Sequence, residues 1–261
     1  MPFIDHAGLR LHVRIDGISH RLAPTLVFGQ ALGTDLRLWD DIIPLLPDHL
    51  RLIRYDMRGH GQSDVPPAPY AMGQLISDAE AICDALQVRD AVFVGHGLGG
   101  MVAQGLAVKR LDILRGLVLC NTAARIGHVA DWDKRIAAVT AGGMAAVSDA
   151  IIDRWFHPTA AARTLWRDRL LTTPAQGYSG GASAIAGSDF YTTTASLRLA
   201  TLGIAGSEDR ATPPDLVRET IDLIPGAQFK VIRRAGHLPQ VDQPATFAQT
   251  LNDFLTAIGH D

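Results

Sequence analysis

Cysteine is scarce: the 261 residues contain only Cys83 and Cys120. Neither lies in a CxxC pair, and no Cys/His cluster has zinc-finger spacing. The sequence therefore predicts no disulfide scaffold and no metal site, and the two thiols read as reduced and buried. Excess charge of either sign is also missing. A net charge of −3 argues against a nucleic-acid partner, which calls for a basic face or stripe, although a local arginine can still serve a small anion. There is no long apolar block. The N-terminal stretch MPFIDHAGLRLHV alternates instead, so neither a signal peptide nor a transmembrane segment is expected, and the reading is a cytoplasmic chain with no membrane partner. Repeats and low-complexity segments are absent too. Hydrophobic residues make up 47% of the chain, an ordinary globular share, and this length can bury a large core without staples.

What is present is a rhythm. Residues Leu9 to Ile15 alternate apolar and polar, as in a half-exposed antiparallel strand. Continuous apolar runs follow at Thr25–Phe28, Leu52–Tyr55, Ala91–Val94, Leu114–Cys120, Thr201–Ala205 and Phe229–Ile232. Such runs suit strands buried on both faces of a parallel sheet. Helical stretches at Met72–Leu86, Leu98–Lys109, Pro214–Leu223 and Pro244–Ile258 lie between or after them. The alternation predicts an α/β fold with a mostly parallel central sheet flanked by helices and joined by right-handed crossovers. From residue 124 to 197 the rhythm breaks into helical patterns rich in Ala, Arg, Trp and Thr. That stretch is read as a helical cap inserted into a core domain made of residues 1–123 and 198–261.

The segment AVFVGHGLGGMVAQGLA reads as strand, tight turn and helix. This is the context of the G-x-S-x-G nucleophile elbow, where a strained turn exposes a serine at the top of the sheet. Gly95, Gly99 and Gly100 fill the small flanking places, and Gly97 stands where the serine belongs. Glycine accepts positive φ freely, so the turn is expected to survive while the hydroxyl is lost. The same residues also match G-x-G-x-x-G. A dinucleotide site would open the first βαβ unit and carry an acid about 20 residues on. Here three apolar runs precede the glycines, and the next strand ends Leu119-Cys120-Asn121.

Downstream, the run Thr201–Ala205 leads into Gly206-Ser207-Glu208-Asp209, and Phe229–Ile232 leads into Arg233-Arg234-Ala235-Gly236-His237. Both end where a parallel sheet binds its ligands, in the chain order nucleophile, acid, histidine. An acid there orients the imidazole, and the imidazole moves protons. Asp209 and Glu208 both compete for the acid's place. The loop Gly29-Gln30-Ala31-Leu32-Gly33 offers backbone N–H groups for half of an oxyanion hole, with the Leu98 N–H as the other half.

These residues resemble the 3-oxoadipate enol-lactonase branch of the α/β hydrolases. The resemblance runs over nearly the whole chain: Gly33-Thr34-Asp35-Leu36 with Trp39, Tyr55 through Gly61, Gly99 through Gln104, Asn121 through Gly127, Arg154-Trp155-Phe156, and Ala235 through Pro239. It implies a cofactor-free, metal-free serine hydrolase that opens an enol-lactone through an acyl-enzyme. It implies Asp209 and His237 as acid and histidine, and Leu32 and Leu98 as the oxyanion positions. The chain departs from it at Gly97, and at Gln30-Ala31 where the usual oxyanion loop has His-Gly. A substrate carboxylate calls for a cation, for which Arg58, Arg125, Arg135 and Arg154 are candidates; Trp132 and Trp155 are candidate pocket walls. Three functional readings follow. The chain is an enol-lactonase-like hydrolase with Gly97 as an engineered inactivation, a serine-free hydrolase in which His237 activates water, or a pseudo-hydrolase that holds a small molecule without turning it over.

Overall fold

The computed structural model describes residues 3–261. Each apolar run becomes a strand. Short strand β1 (Phe3–His6) pairs antiparallel with β2 (Leu9–Gly17), the alternating segment. The continuous runs form β3 (Thr25–Gly29), β4 (Arg51–Tyr55), β5 (Ala91–His96), β6 (Leu114–Cys120), β7 (Ala200–Gly206) and β8 (Gln228–Ile232). They build one eight-stranded sheet in the order β1-β2-β4-β3-β5-β6-β7-β8. Pairing is antiparallel at β1–β2 and β2–β4 and parallel from β4 through to β8.

The expectation of burial on both faces holds for β3 to β7 but not for β8. Its residues are mostly exposed or half-buried because it is the sheet's edge. Strand β1 has no counterpart among the apolar runs and the alternating segment of the sequence.

Among the described residues ten helices accompany the sheet: α1 (Met72–Ala85), α2 (Leu98–Lys109), α3 (Val129–Gly142), α4 (Ser148–Trp155), α5 (Arg163–Leu171), α6 (Ala175–Ala186), α7 (Tyr191–Ala195), α8 (Pro214–Asp222), α9 (Pro239–Asp242) and α10 (Pro244–Ala257). Three short 3-10 turns are interspersed. Helix α2 is buried along its first ten residues, as a helix apolar all round must be. Its glycines set how closely it lies on the sheet: a Cβ on Gly99 would overlap the Gly29 carbonyl, and one on Gly95 would overlap the Gly99 carbonyl. Between β6 and β7 the described chain holds α3 to α7 and no strand.

Parallel pairing has one consequence for function. Strands β3, β5, β6, β7 and β8 all end on the same edge, so the loops that follow them converge there. Those loops carry Leu32, Gly97, Asn121, Asp209 and His237.

Candidate active site

At the end of β5 the chain turns through Gly97 with φ 52° and ψ −113°, and α2 begins at Leu98. The left-handed φ disfavours any residue with a side chain. The Gly97 N–H donates to the Cys120 carbonyl at 3.0 Å, and the Gly97 carbonyl accepts from the Thr122 hydroxyl at 2.6 Å. The turn is thus held from the β6 side.

Space around Gly97 differs from that around its glycine neighbours. A Cβ built on Gly97 would lie 3.5 Å from the Ala31 Cβ and 3.8 Å from His237 Nε2, ordinary contact distances. One on Gly100 would press on the Thr122 side chain at 2.5 Å.

His237 follows β8 and is nine-tenths buried. Its backbone N–H donates to the Trp155 carbonyl at 2.7 Å, its ring lies over that of Trp155 at 6.1 Å between centroids, and His96 meets it edge-on at 4.8 Å. Its Nδ1 pairs with Asp209 Oδ2 at 2.8 Å. Asp209, not Glu208, is therefore the histidine's partner; Glu208 is exposed to solvent.

The Asp209 carboxylate is fully engaged. Oδ2 also accepts from Asn121 Nδ2 at 2.7 Å and from the Thr212 hydroxyl at 2.7 Å, and Oδ1 accepts from the Ala211 and Thr212 N–H groups at 2.6 and 3.1 Å. Burial is the largest influence on this carboxyl and pushes it up. The His237 charge, together with hydrogen bonds from His237, Asn121 and Thr212, outweighs burial and holds it below its ordinary value. An ionised carboxylate locked in this way fixes the imidazole's orientation. Asn121 and Thr212 escaped the sequence reading. The rule that found Asp209, a polar residue just past a parallel strand, applies equally to Asn121 after β6.

The loop after β3 is tied down by buried polar groups. The Gln30 amide, oriented to satisfy both of its partners, donates to the Tyr55 carbonyl and accepts from the Met57 N–H, each at 2.7 Å. The Gly33 N–H donates to His60 Nε2 at 3.1 Å while His60 Nδ1 faces the Arg58 carbonyl at 3.2 Å. Burial lowers the His60 pKa, and only a neutral imidazole protonated on Nδ1 meets both contacts. The Gly99 N–H donates to the Gln30 carbonyl at 3.0 Å, which clamps this loop to the first turn of α2. Leu32 and Leu98 consequently both line the cavity in front of Gly97. Neither of their N–H groups has a backbone or side-chain partner among the described residues.

That cavity measures about 140 Å³. Gly97, His237, Leu32 and Leu98 line it, and α3, α4 and α6 supply Trp132, Arg135, Ile151, Arg154, Trp155 and Tyr178. Arg135 lies over the Trp132 ring at 4.7 Å. Arg154 reaches the Arg210 and Ala211 carbonyls at 3.2 and 3.4 Å. Neither arginine has an ion-pair partner within 4 Å among the described residues. Partial burial, then the nearby Arg135 charge, lowers the Arg154 pKa, the mark of two guanidiniums sharing one pocket.

Two of the four candidate arginines fall elsewhere. Arg58 is buried and bidentate to Asp78, with Nε–Oδ2 at 2.6 Å and Nη2–Oδ1 at 2.7 Å, so its charge is already neutralised away from the cavity. Arg125 is exposed, 3.9 Å from Asp189, and does not line the cavity. Among the described residues there is no cluster of His, Cys, Asp or Glu able to hold a metal.

The family model described as the alpha/beta hydrolase family matches residues 28–250. The chain belongs to the α/β-hydrolase family. This α/β hydrolase is 34% identical to 3-oxoadipate enol-lactonase 1 of Acinetobacter baylyi over 96% of its length and 95% of that protein's. The crystal structure of the enol-lactonase from Burkholderia xenovorans LB400 superposes on it with a TM-score of 0.93 at 35% identity, covering 98% of this chain and 100% of that one. A thermophilic esterase from Thermogutta terrifontis, solved with malate bound, gives a TM-score of 0.89 at 27% identity over 98% of this chain and 97% of that one. No helix among the described residues is long and apolar enough to cross a membrane.

Proposed function

We propose that this hydrolase is built to open a small enol-lactone or ester that carries a free carboxylate, and that Gly97 leaves the chain impaired for it. The observation that carries this reading is the distance of 3.8 Å from His237 Nε2 to the place of a Cβ at position 97, with Asp209 locked behind the imidazole. A hydroxyl one bond beyond that Cβ comes within hydrogen-bond reach of the base.

In this reading His237 is the general base and then the general acid, and Asp209 orients it and stabilises its cation. The Leu32 and Leu98 N–H groups receive the oxyanion. Helices α3 to α7 act as the cap over the site. Arg135 and Arg154 receive the substrate carboxylate between Trp132 and Trp155. The named activities of the enol-lactonase relatives support the substrate class, as does the dicarboxylate in the esterase. No cofactor is required.

The test is hydrolysis of 3-oxoadipate enol-lactone by Gly97→Ser. Removing a triad nucleophile lowers turnover by several orders of magnitude, so the serine variant should exceed the glycine chain by on the order of 10³-fold or more. It should also be labelled by an organophosphate at position 97. High activity of the glycine chain that is lost in His237→Ala would favour the second reading, water activated by His237; the imidazole Nε2, which has no hydrogen-bond partner among the described residues, supports that reading. If both forms bind ligand and turn over no lactone or ester, the hydrolase reading fails in favour of a binding protein.

A further inference from the structure

Four features converge on the space in front of Gly97. His237 is nine-tenths buried, and its ring hydrogen-bonds to Asp209 and Thr212 through Nδ1. That leaves Nε2 facing Gly97. The Leu32 and Leu98 N–H groups border the same space without partners among the described residues. The start of the 12-residue helix α2 adds its positive end there. Finally, Gly97 contributes no side chain of its own, and the nearest atoms to its Cβ place are at ordinary contact distance.

A base, an oxyanion site and a position without a side chain on a cavity of about 140 Å³ form an arrangement that accepts a nucleophile from solution. We propose that the Gly97 site binds a small external alcohol and transfers an acyl group to it in one step, without an acyl-enzyme. This rests on the hydrolase reading above.

In the step, the alcohol oxygen hydrogen-bonds to His237 Nε2 and attacks the carbonyl carbon of the bound ester. A new C–O bond forms, the alcohol proton passes to Nε2, and the carbonyl oxygen takes up negative charge against the Leu32 and Leu98 N–H groups. On collapse, the bond to the leaving oxygen breaks and the Nε2 proton returns to that oxygen. Ester and alcohol thus become a new ester and the released alcohol, with no change in oxidation state. Methanol fits best, because it carries the one-carbon hydroxyl unit that a serine would place there. It must sit farther into the cavity than a covalent side chain, against the Gly97 backbone and Ala31. A bulkier alcohol competes with the acyl group for the same 140 Å³.

The experiment incubates the Gly97 chain with 4-nitrophenyl acetate and methanol from zero to about 1 M. It follows 4-nitrophenol release and quantifies methyl acetate against acetate by gas chromatography. The proposal expects release to rise at least several-fold and then saturate with methanol. It also expects a methyl acetate share at least ten times that of the uncatalysed reaction, no stimulation in His237→Ala, and weaker stimulation in Gly97→Ala, whose methyl group intrudes on the space. Release that ignores methanol, or product partitioning equal to that in buffer, overturns it. Gly97→Ser measured alongside separates the two failures. An active serine variant beside a methanol-insensitive glycine chain refutes the external-nucleophile site alone, and an inert, folded serine variant refutes the hydrolase reading with it.

Discussion

Arg135 and Arg154 offer a quantitative test that needs no catalysis. The chain as it stands should bind malate, a small dicarboxylate, in the cavity that both arginines line. Arg135 is half-buried, sits over the Trp132 ring and has no ion-pair partner among the described residues. A carboxylate there gains charge-assisted hydrogen bonds, each worth about 1.5–3 kcal/mol. Arg135→Met should therefore weaken binding roughly 10- to 100-fold, since each factor of ten is about 1.4 kcal/mol. Arg154 is the more exposed of the two and already spends donors on two carbonyls. Solvent screening discounts its share to at most about 1 kcal/mol, so Arg154→Met should cost roughly three- to fivefold. Isothermal titration reads the affinities, and the fluorescence of Trp132 and Trp155 reports occupancy of the pocket itself. Because the attraction is electrostatic, affinity should also fall as salt is raised. Malate binding that is unchanged in both variants would refute the assignment of this pair to a carboxylate.

Other outcomes follow from the same geometry. In the Gly97→Ser background, Asp209→Asn should lower kcat by about 10⁴-fold with little change in KM, because the amide no longer holds the imidazole in the productive tautomer; steady-state kinetics checks this. Arg58→Ala should cost about 3–5 kcal/mol of stability by stranding the buried Asp78 carboxylate, read as a shift in urea midpoint, and should leave malate affinity in place. Burial, and then the neighbouring His237, hold the His96 pKa well below the ordinary 6.5, and burial lowers that of His60. Below about pH 6.5 the unfolded chain binds protons that the folded chain refuses, so stability should fall as pH drops from 7 to 5, by up to about 1.4 kcal/mol per pH unit for each group. A urea midpoint that stays flat over that range would contradict it. Gly97→Ser should melt lower than the glycine chain, since a side chain at φ 52° costs of order 1–3 kcal/mol.

The sheet was legible because strands buried on both faces leave continuous apolar runs. Helix α2 was legible to its ends because Gly97 breaks the strand before it and the apolar pattern stops at Lys109. The edge position of β8 was not legible: Phe229–Ile232 looks like its inner neighbours in isolation, and only the strand order puts it outside. The arginines show the same limit. Nothing local separates Arg58 from Arg135. The difference is the partner, Asp78 on α1, which neutralises one of them, whereas no such partner reaches the other among the described residues. The Asp209–His237 pair was recoverable because chain order and strand ends constrain it. The choice of Asp209 over Glu208 came from resemblance, and its physical basis is the three-dimensional ring of donors from Asn121, Ala211 and Thr212.

The glycines of the elbow carry the strongest argument about position 97. Gly95 and Gly99 are glycine by steric necessity, since a Cβ on either would overlap backbone that cannot retreat. Gly97 is under no such steric pressure: its Cβ place meets Ala31 and His237 Nε2 only at ordinary contact distance. In the proposed function the surrounding scaffold suits a residue with a side chain, from the carboxylate paired to the imidazole to the Leu32 and Leu98 amides that have no partner among the described residues. On the proposed reading, glycine relieves the backbone strain of the turn at the cost of the nucleophile. On that same proposed reading, glycine at 97 costs the fold nothing and the chemistry a great deal, so the Asp209–His237 dyad, the clamped loop and the arginine-lined pocket can all persist around a position that supplies no hydroxyl.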